Sequence, residues 1–433
     1  MDGRRVRLSA PRRIAYLGGA FSIGIYSAFN NYTMSLWLTG FTTSYILISL
    51  LGNTKSVEGS VVSPLVGFWS DRTWTSWLGR RRPFILVGGL LSAALIALTP
   101  TIARLPVPSA LASLPPDILR VLPIVVTVFL FTLTFNMADD IHKALRADLV
   151  EDEELNLLSS LATIVDIGAQ VCILALGFLI WRDAVPDSAF LLAGALIAGG
   201  VLATTLGVQE PPPEIWAARD ADSNPDKQRT SIRQFFSQYR GALMFCLVNF
   251  AYWSGVNAVL PLVSIYVRDI LGTSVGMAQL LPGLLLLSTT LMAIPVGWMA
   301  SSFGKRRVLG SGYLVMGLAA VAGLVITTTE QGALVFLLAG IGNSAAVVLA
   351  IPMMADLVPR AQMGAATGFL AAGGSLAAPL ASLVAGALSQ VHGPRAIFAV
   401  MAVMVIVAVA LLFSGVKPSA VPTEPEQVAD NLP

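Results

Sequence analysis

The sequence is poor in sulfur, histidine and charge, and each shortage excludes a class of protein. Two cysteines, Cys172 and Cys246, stand in separate apolar runs, so neither a disulfide nor a thiolate metal site is expected. The two histidines, His142 and His392, are distant in sequence, which argues against a metal enzyme. Charged residues make up 12% of the chain, far below the share in a soluble domain. No Gly-x-x-x-x-Gly-Lys-Ser/Thr loop is present, so an ATP-driven mechanism is disfavoured. The apolar runs are continuous and do not alternate at period two, which excludes a membrane β-barrel. No enzymatic activity and no cofactor are expected.

What the chain has is apolar length. Hydrophobic residues make up 55% of it, and the mean hydropathy is +0.75. A spanning helix takes roughly 20 apolar residues. Twelve candidates lie near 14–38, 44–69, 84–103, 121–147, 159–181, 188–208, 241–267, 276–300, 308–328, 332–356, 364–389 and 395–415. Backbone in hydrocarbon must satisfy its own hydrogen bonds, so the predicted fold class is an all-α membrane protein. Basic residues cluster in alternate loops: Arg4 to Arg13, Arg72 with Arg80 to Arg82, Arg219 to Arg240, and Lys305 to Arg307. With those loops inside, both termini are cytoplasmic and the expected site is the cell membrane. The first span has no small-residue cleavage signature, so no signal peptide is expected.

The polar stretch 209–240, which opens with Pro211 to Pro213, reads as a cytoplasmic linker. It separates a six-helix bundle over 1–208 from a second over 241–416, and 417–433 reads as a disordered tail. The halves repeat each other. Gly67 to Arg72, followed by Gly79 to Arg82, is echoed by Gly297 to Ser302, followed by Gly304 to Arg307. Ala147-Asp148-Leu149-Val150 is echoed by Ala355-Asp356-Leu357-Val358, and Asn136 and Asn343 precede these at nearly equal distances. Two matches in register indicate parallel internal duplication.

The loop from Gly67 to Pro83 resembles the signature between the second and third helices of the major facilitator superfamily. That resemblance implies twelve helices in two pseudo-symmetric bundles. It also implies a cytoplasmic gate in which Asp71, Arg72, Arg80, Arg81 and Asp148 pair, with Asp148 facing Arg72. The wording from Ser70 to Ile85, and Asn136, Lys143 and Asp148 in the fourth span, resemble plant sucrose–proton symporters and bacterial maltose and glycoside–cation symporters. The implied function is proton-coupled symport of a sugar or glycoside by a monomer in the bilayer. Three departures stand out: Thr132 replaces an acid of the plant symporters, Asp140 and Ile141 replace their Gly-Pro pair, and Lys55 and Glu58 replace uncharged positions.

Ionisable residues inside a membrane default to a functional role because they are costly there. Residues 136–148 hold six of them. Asn136, Asp139, Asp140 and Lys143 share one helical face, which Arg146 extends. Lys55 and Glu58 share a face of the second span, and Asp166 and Gln170 share one on the fifth. We assign proton coupling or substrate binding to these residues, with Asp139 and Asp140 foremost and His142 as a relay or a packing residue. Substrate contacts are expected from Tyr26, Asn30 and Asn31 in the first span. In the seventh they are expected from Asn249, Tyr252, Trp253 and Asn257, whose amides and rings suit sugar hydroxyls and C–H faces. Each of these groups has a packing role as its alternative. Two other functions fit the same residues: exchange or export of a small charged metabolite, and assembly of a membrane complex on a transporter fold.

Overall fold

The computed structural model describes residues 8–106, 116–150, 152–210, 232–359 and 362–416. The proposed tail at 417–433 and most of the linker lie outside them. The fold is all-α, with twelve spans in two six-helix bundles. Among the described residues, nine helices are both long and apolar enough to cross a bilayer unbroken. The first, second and ninth spans are not among these nine.

The first span is α1 (Ala10–Ala28), a π-helical segment (Phe29–Thr33) and α2 (Met34–Leu38). The second is α3 (Tyr45–Gly52) and α4 (Thr54–Arg72), broken at Asn53. Then come α5 (Arg82–Ile102), α6 (Pro116–Leu149), α7 (Asp152–Ile180) and α8 (Asp187–Gly207). A short α9 (Ile232–Gln238) lies on the linker and packs through Phe235 and Phe236 against Phe369. The second half is α10 (Arg240–Val259) and α11 (Val263–Ile270) as span seven. After it come α12 (Val275–Phe303), α13 (Lys305–Gly323), α14 (Thr329–Ala355), α15 (Met363–His392) and α16 (Ala396–Gly415).

The packing repeats as the sequence does. Span one lies on spans five and six, and span seven on eleven and twelve. Span three lies on four and six, and span nine on ten and twelve. Between the halves, span two meets eleven and span five meets eight, so the two-fold relation holds across the interface as well. Even the loop glycines correspond: Gly79 at φ 79° and Gly304 at φ 89° occupy the left-handed region that only glycine enters at no steric cost.

Hydrogen bonds that join the halves cluster at the end away from the basic loops. Thr33 bonds Gln279 at 3.1 Å, Arg268 donates to Thr39 at 2.9 Å, and the Val275 amide donates to the Arg182 carbonyl at 3.2 Å. The Tyr45 amide donates to Gln390 at 2.8 Å, and Asn53 at the helix break reaches the Asn257 carbonyl and Ser382. Near the basic end, Leu65, Phe68 and Trp69 on span two and Leu291, Ile294 and Trp298 on span eight are exposed. The molecule is closed at the far end.

Gly276 is where spans five and eight come closest at that end. A Cβ there would lie 2.7 Å from the Trp181 carbonyl and 2.8 Å from the Phe178 carbonyl, both backbone atoms with no freedom to turn aside. Overpacking of this kind costs about 1–3 kcal/mol. Gly276→Leu is therefore expected to widen the far end and shift the population away from this conformation. Spin-label distances between spans five and eight check this, and an unchanged distribution would contradict it.

Candidate functional site

The polar residues of span four are gathered around one carboxylate. Asp139 is 2% exposed, and its Oδ2 takes Lys55 Nζ at 2.8 Å and Lys143 Nζ at 3.0 Å. Lys143 lies one turn on along the same helix, while Lys55 comes from span two just past the Asn53 break. An unpaired carboxylate at that depth would be prohibitive, so the lysines are what permit it. Lys55 also lies over the rings of Tyr26 and Phe135, 5.4 and 5.2 Å from their centroids. Those rings stack at 3.7 Å, and Tyr26 donates to Thr132 at 3.1 Å. Asn136 donates to the Lys55 carbonyl at 3.0 Å, which fixes span two against span four. Asp139 Oδ1 is buried and has no hydrogen-bond partner among the described residues.

The other ionisable groups divide. Asp166 on span five accepts from Gln170 at 3.0 Å and lies within electrostatic reach of Lys55, Asp139 and Lys143. It joins the cluster from a third helix. His142 faces span one: Nε2 meets the Tyr16 carbonyl at 3.0 Å, the two rings stack at 4.4 Å, and Gly19 leaves the room the imidazole takes. Asp140 and Arg146 are half-buried on the same helix. Glu58 lies on α4, but its side chain is outside the described residues.

A cavity of about 260 Å³ lies between the halves. Asn31, Ile167 and Gln170 line it from the first half, and Trp253, Thr289, Met316, Asn343 and Met401 from the second. The π-helical segment is what positions Asn31: the extra residue per turn re-aims this stretch, and such bulges recur at functional sites. Of the proposed contact residues, Asn31 and Trp253 line the cavity. Tyr26 instead packs on the ion cluster, and Asn30 donates to the Gly52 carbonyl at 3.1 Å, where span two breaks. Tyr252 donates to Asn343 at 2.8 Å, Asn249 to the Leu370 carbonyl at 3.2 Å, and Asn257 to the Trp253 carbonyl of its own helix at 2.8 Å. The halves mirror each other here too, since Tyr252 reaches span ten as Tyr26 reaches span four.

At the basic end, Asp148 is held by Arg80 at 3.1 Å and Arg81 at 2.9 Å, and Arg81 also pairs with Asp71 at 2.7 Å. Arg72 is not the partner of Asp148; its guanidinium lies 3.7 Å from the centroid of the Phe68 ring. The loop turns sharply at Thr75–Gly79 and brings Arg80 and Arg81, not Arg72, over the end of span four. These pairs tie spans two, three and four of one half. In the second half, Lys305 pairs with Asp356 at 2.6 Å, a more exposed counterpart.

Three residues missed by sequence reasoning matter. Asn53 ties the break of span two to the second half, and Gln279 meets Thr33 across the interface. Glu210, at the start of the linker, buries its carboxylate on the amides of Arg80, Arg81 and Arg82 at 2.8 to 2.9 Å. An acid at the N-terminus of α5 satisfies donors that have no partner within the helix. Only the neighbouring prolines marked this position, and they marked a linker. Glu210→Ala should strip those amides of their acceptor and destabilise the loop by about 1–3 kcal/mol. The expected readout is faster hydrogen exchange at Arg80 to Arg82 and a lower Tm, and unchanged exchange would show that the clamp is idle.

Comparison with known proteins places this geometry. Residues 245–432 match the model of the Major Facilitator Superfamily. Sucrose transport protein SUC3 of Arabidopsis thaliana is 41% identical over 76 residues, which is 17% of this chain and 10% of that protein. Sucrose transport protein SUT5 of Oryza sativa subsp. indica is 50% identical over 48 residues, 11% of this chain and 9% of that protein. The chain thus spans about a tenth of the length of the curated relatives it matches. Among solved structures, a D-xylose-proton symporter aligns with TM-score 0.73 at 15% identity, over 94% of this chain and 98% of that one. A bacterial homolog of the lysosomal transporter Spinster, inward-facing and occupied, aligns with TM-score 0.68 at 12% identity, over 94% and 96%. The second half of the chain matches the model of the major facilitator superfamily, and over 94% of its length the chain shares the fold of these solved transporters.

Proposed function

We propose that the chain is a secondary transporter that moves a small molecule by alternating access, and that transport is coupled to protons. The observation that carries this reading is a cavity of about 260 Å³ lined from both halves and closed at one end, beside a buried ion cluster. A scaffold for assembling other proteins has no need of such a cavity. Its wall includes Gln170, which is bonded to Asp166, and Asp166 is in electrostatic reach of Asp139. A change of protonation in the cluster is thereby communicated to the wall of the cavity.

For the substrate, we favour a sugar or glycoside. The support is the local similarity to two sucrose transport proteins and the fold shared with a D-xylose-proton symporter. The structural neighbours also include a nucleoside transporter, at TM-score 0.66 and 14% identity. For orientation, the basic loops put the termini in the cytoplasm, so the closed end faces outward. A cysteine introduced near Asn224 should be labelled only from the cytoplasmic side and one near Ser109 only from outside. The opposite pattern would reverse the proposed direction of every step.

Coupling is assigned to Asp139, with Asp140 second. Ionised, Asp139 holds Lys55 of span two and Lys143 of span four on one oxygen. Protonated, it releases them, and two helices lose a shared partner. Asp139→Asn should therefore abolish accumulation driven by a pH gradient while leaving exchange at equal substrate concentrations running. Exchange requires only the conformational cycle with substrate bound, whereas uphill movement also requires proton release. If Asp139→Asn and Asp140→Asn each retain full gradient-driven uptake in proteoliposomes, span four does not couple protons. Asp166 and Glu58 are then the acids to test.

A further inference from the structure

The two halves give the central cavity unlike walls. Trp253, Met316, Phe336, Phe398 and Met401 make the second half's wall apolar. Of the polar groups that half brings there, Asn343 and Thr289 are already satisfied by protein, and the Trp253 indole keeps one N–H donor. Asn343 accepts from Tyr252 and donates to Thr289, and Thr289 donates to the Gly340 carbonyl at 3.1 Å. Most polar groups still able to meet a ligand come from the first half: the Asn31 side chain, which makes no hydrogen bond among the described residues, the Tyr32 hydroxyl, and the Gln170 side chain, which gives one N–H to Asp166.

From this asymmetry we infer that the site takes an amphiphile: a compact apolar body seated on the second half, with one hydrogen-bond-donating head, hydroxyl or ammonium, at Asn31 and Gln170. This rests on the transport reading and departs from its sugar substrate, because the cavity wall fits an apolar body better. A free sugar carries hydroxyls on every side, and those turned to the second half would lose water without gaining partners, which is costly for each of them. An apolar body leaves at most the Trp253 N–H unpaired there and gains the contact of the aromatic and thioether groups. The head is specified by what stands behind it. Asp166 takes one N–H of Gln170 and so orients the amide, which leaves its carbonyl oxygen and at most one N–H for a ligand, and the nearby carboxylate disfavours an anion. Asn31 supplies both a donor and an acceptor, which suits a hydroxyl and tolerates an ammonium.

The test uses one apolar body with three heads. Phenylbutanol, phenylbutylamine and phenylbutyrate are titrated into the full chain in lipid nanodiscs, with empty nanodiscs as the partition control and sucrose as the competitor. The alcohol and the amine should bind, the carboxylate should bind about tenfold more weakly, and sucrose should not displace them. Ala339→Phe, which fills the cavity, should abolish binding. Asn31→Leu should bring the alcohol and the amine down to the level of the carboxylate. Where a variant does not fold, the ranking of the four compounds on the unaltered chain decides. Equal binding of the carboxylate, displacement by sucrose, or full binding to Ala339→Phe would each overturn the inference. Counterflow in proteoliposomes separates this from the transport reading. Exchange of sucrose with no effect of the phenylbutyl compounds leaves transport standing and removes the amphiphile. Specific binding with no exchange of any compound leaves the amphiphile standing and removes transport.

Discussion

A carboxylate 2% exposed between two lysines is the constraint around which the first half is organised. Removing one lysine leaves Asp139 with a single partner, and removing both leaves a buried carboxylate unpaired, a loss that runs to about 3–5 kcal/mol. The surrounding groups serve that arrangement. Asn136 fixes the backbone of Lys55, Tyr26 and Phe135 face its ammonium, and Thr132 holds Tyr26 in place.

The second half keeps the geometry and discards the charge. Tyr252, Asn343 and Thr289 form a neutral, fully bonded chain where the first half has Tyr26, Thr132, Asn136 and the lysine pair. Among the described residues, the buried ion cluster therefore lies in the first half, while the matching positions of the second half are neutral.

Much of this was legible in the sequence, and the rest was hidden for physical reasons. Spans three to eight and ten to twelve read directly from apolar length and charge, and the repeat from Gly67 to Val150 predicted two matching halves. The face shared by Asp139 and Lys143 follows from helical spacing alone. The π-helical segment at Phe29–Thr33 does not, because one extra residue in a turn leaves the composition of an apolar run unchanged. It divides Asn30, which caps the broken second span, from Asn31, which lines the cavity. The partner of Asp148 was missed because it depends on the tight turn at Gly79 and on Glu210, which is distant in sequence. Trp253 and Tyr252 are adjacent and equally suited to a ligand by type. Only packing shows that the first reaches the cavity and the second faces its own bundle.

Asn53 interrupts the second span and also grips the second half, through the Asn257 carbonyl and Ser382. The place where the helix can flex and the place where the bundles hold each other are thus a single amide. When the bundles part, that amide exchanges protein partners for water, a trade with a small net free energy. The seal at this end works as a low-resistance clasp: specific in position, so the halves meet in register, and weak in energy.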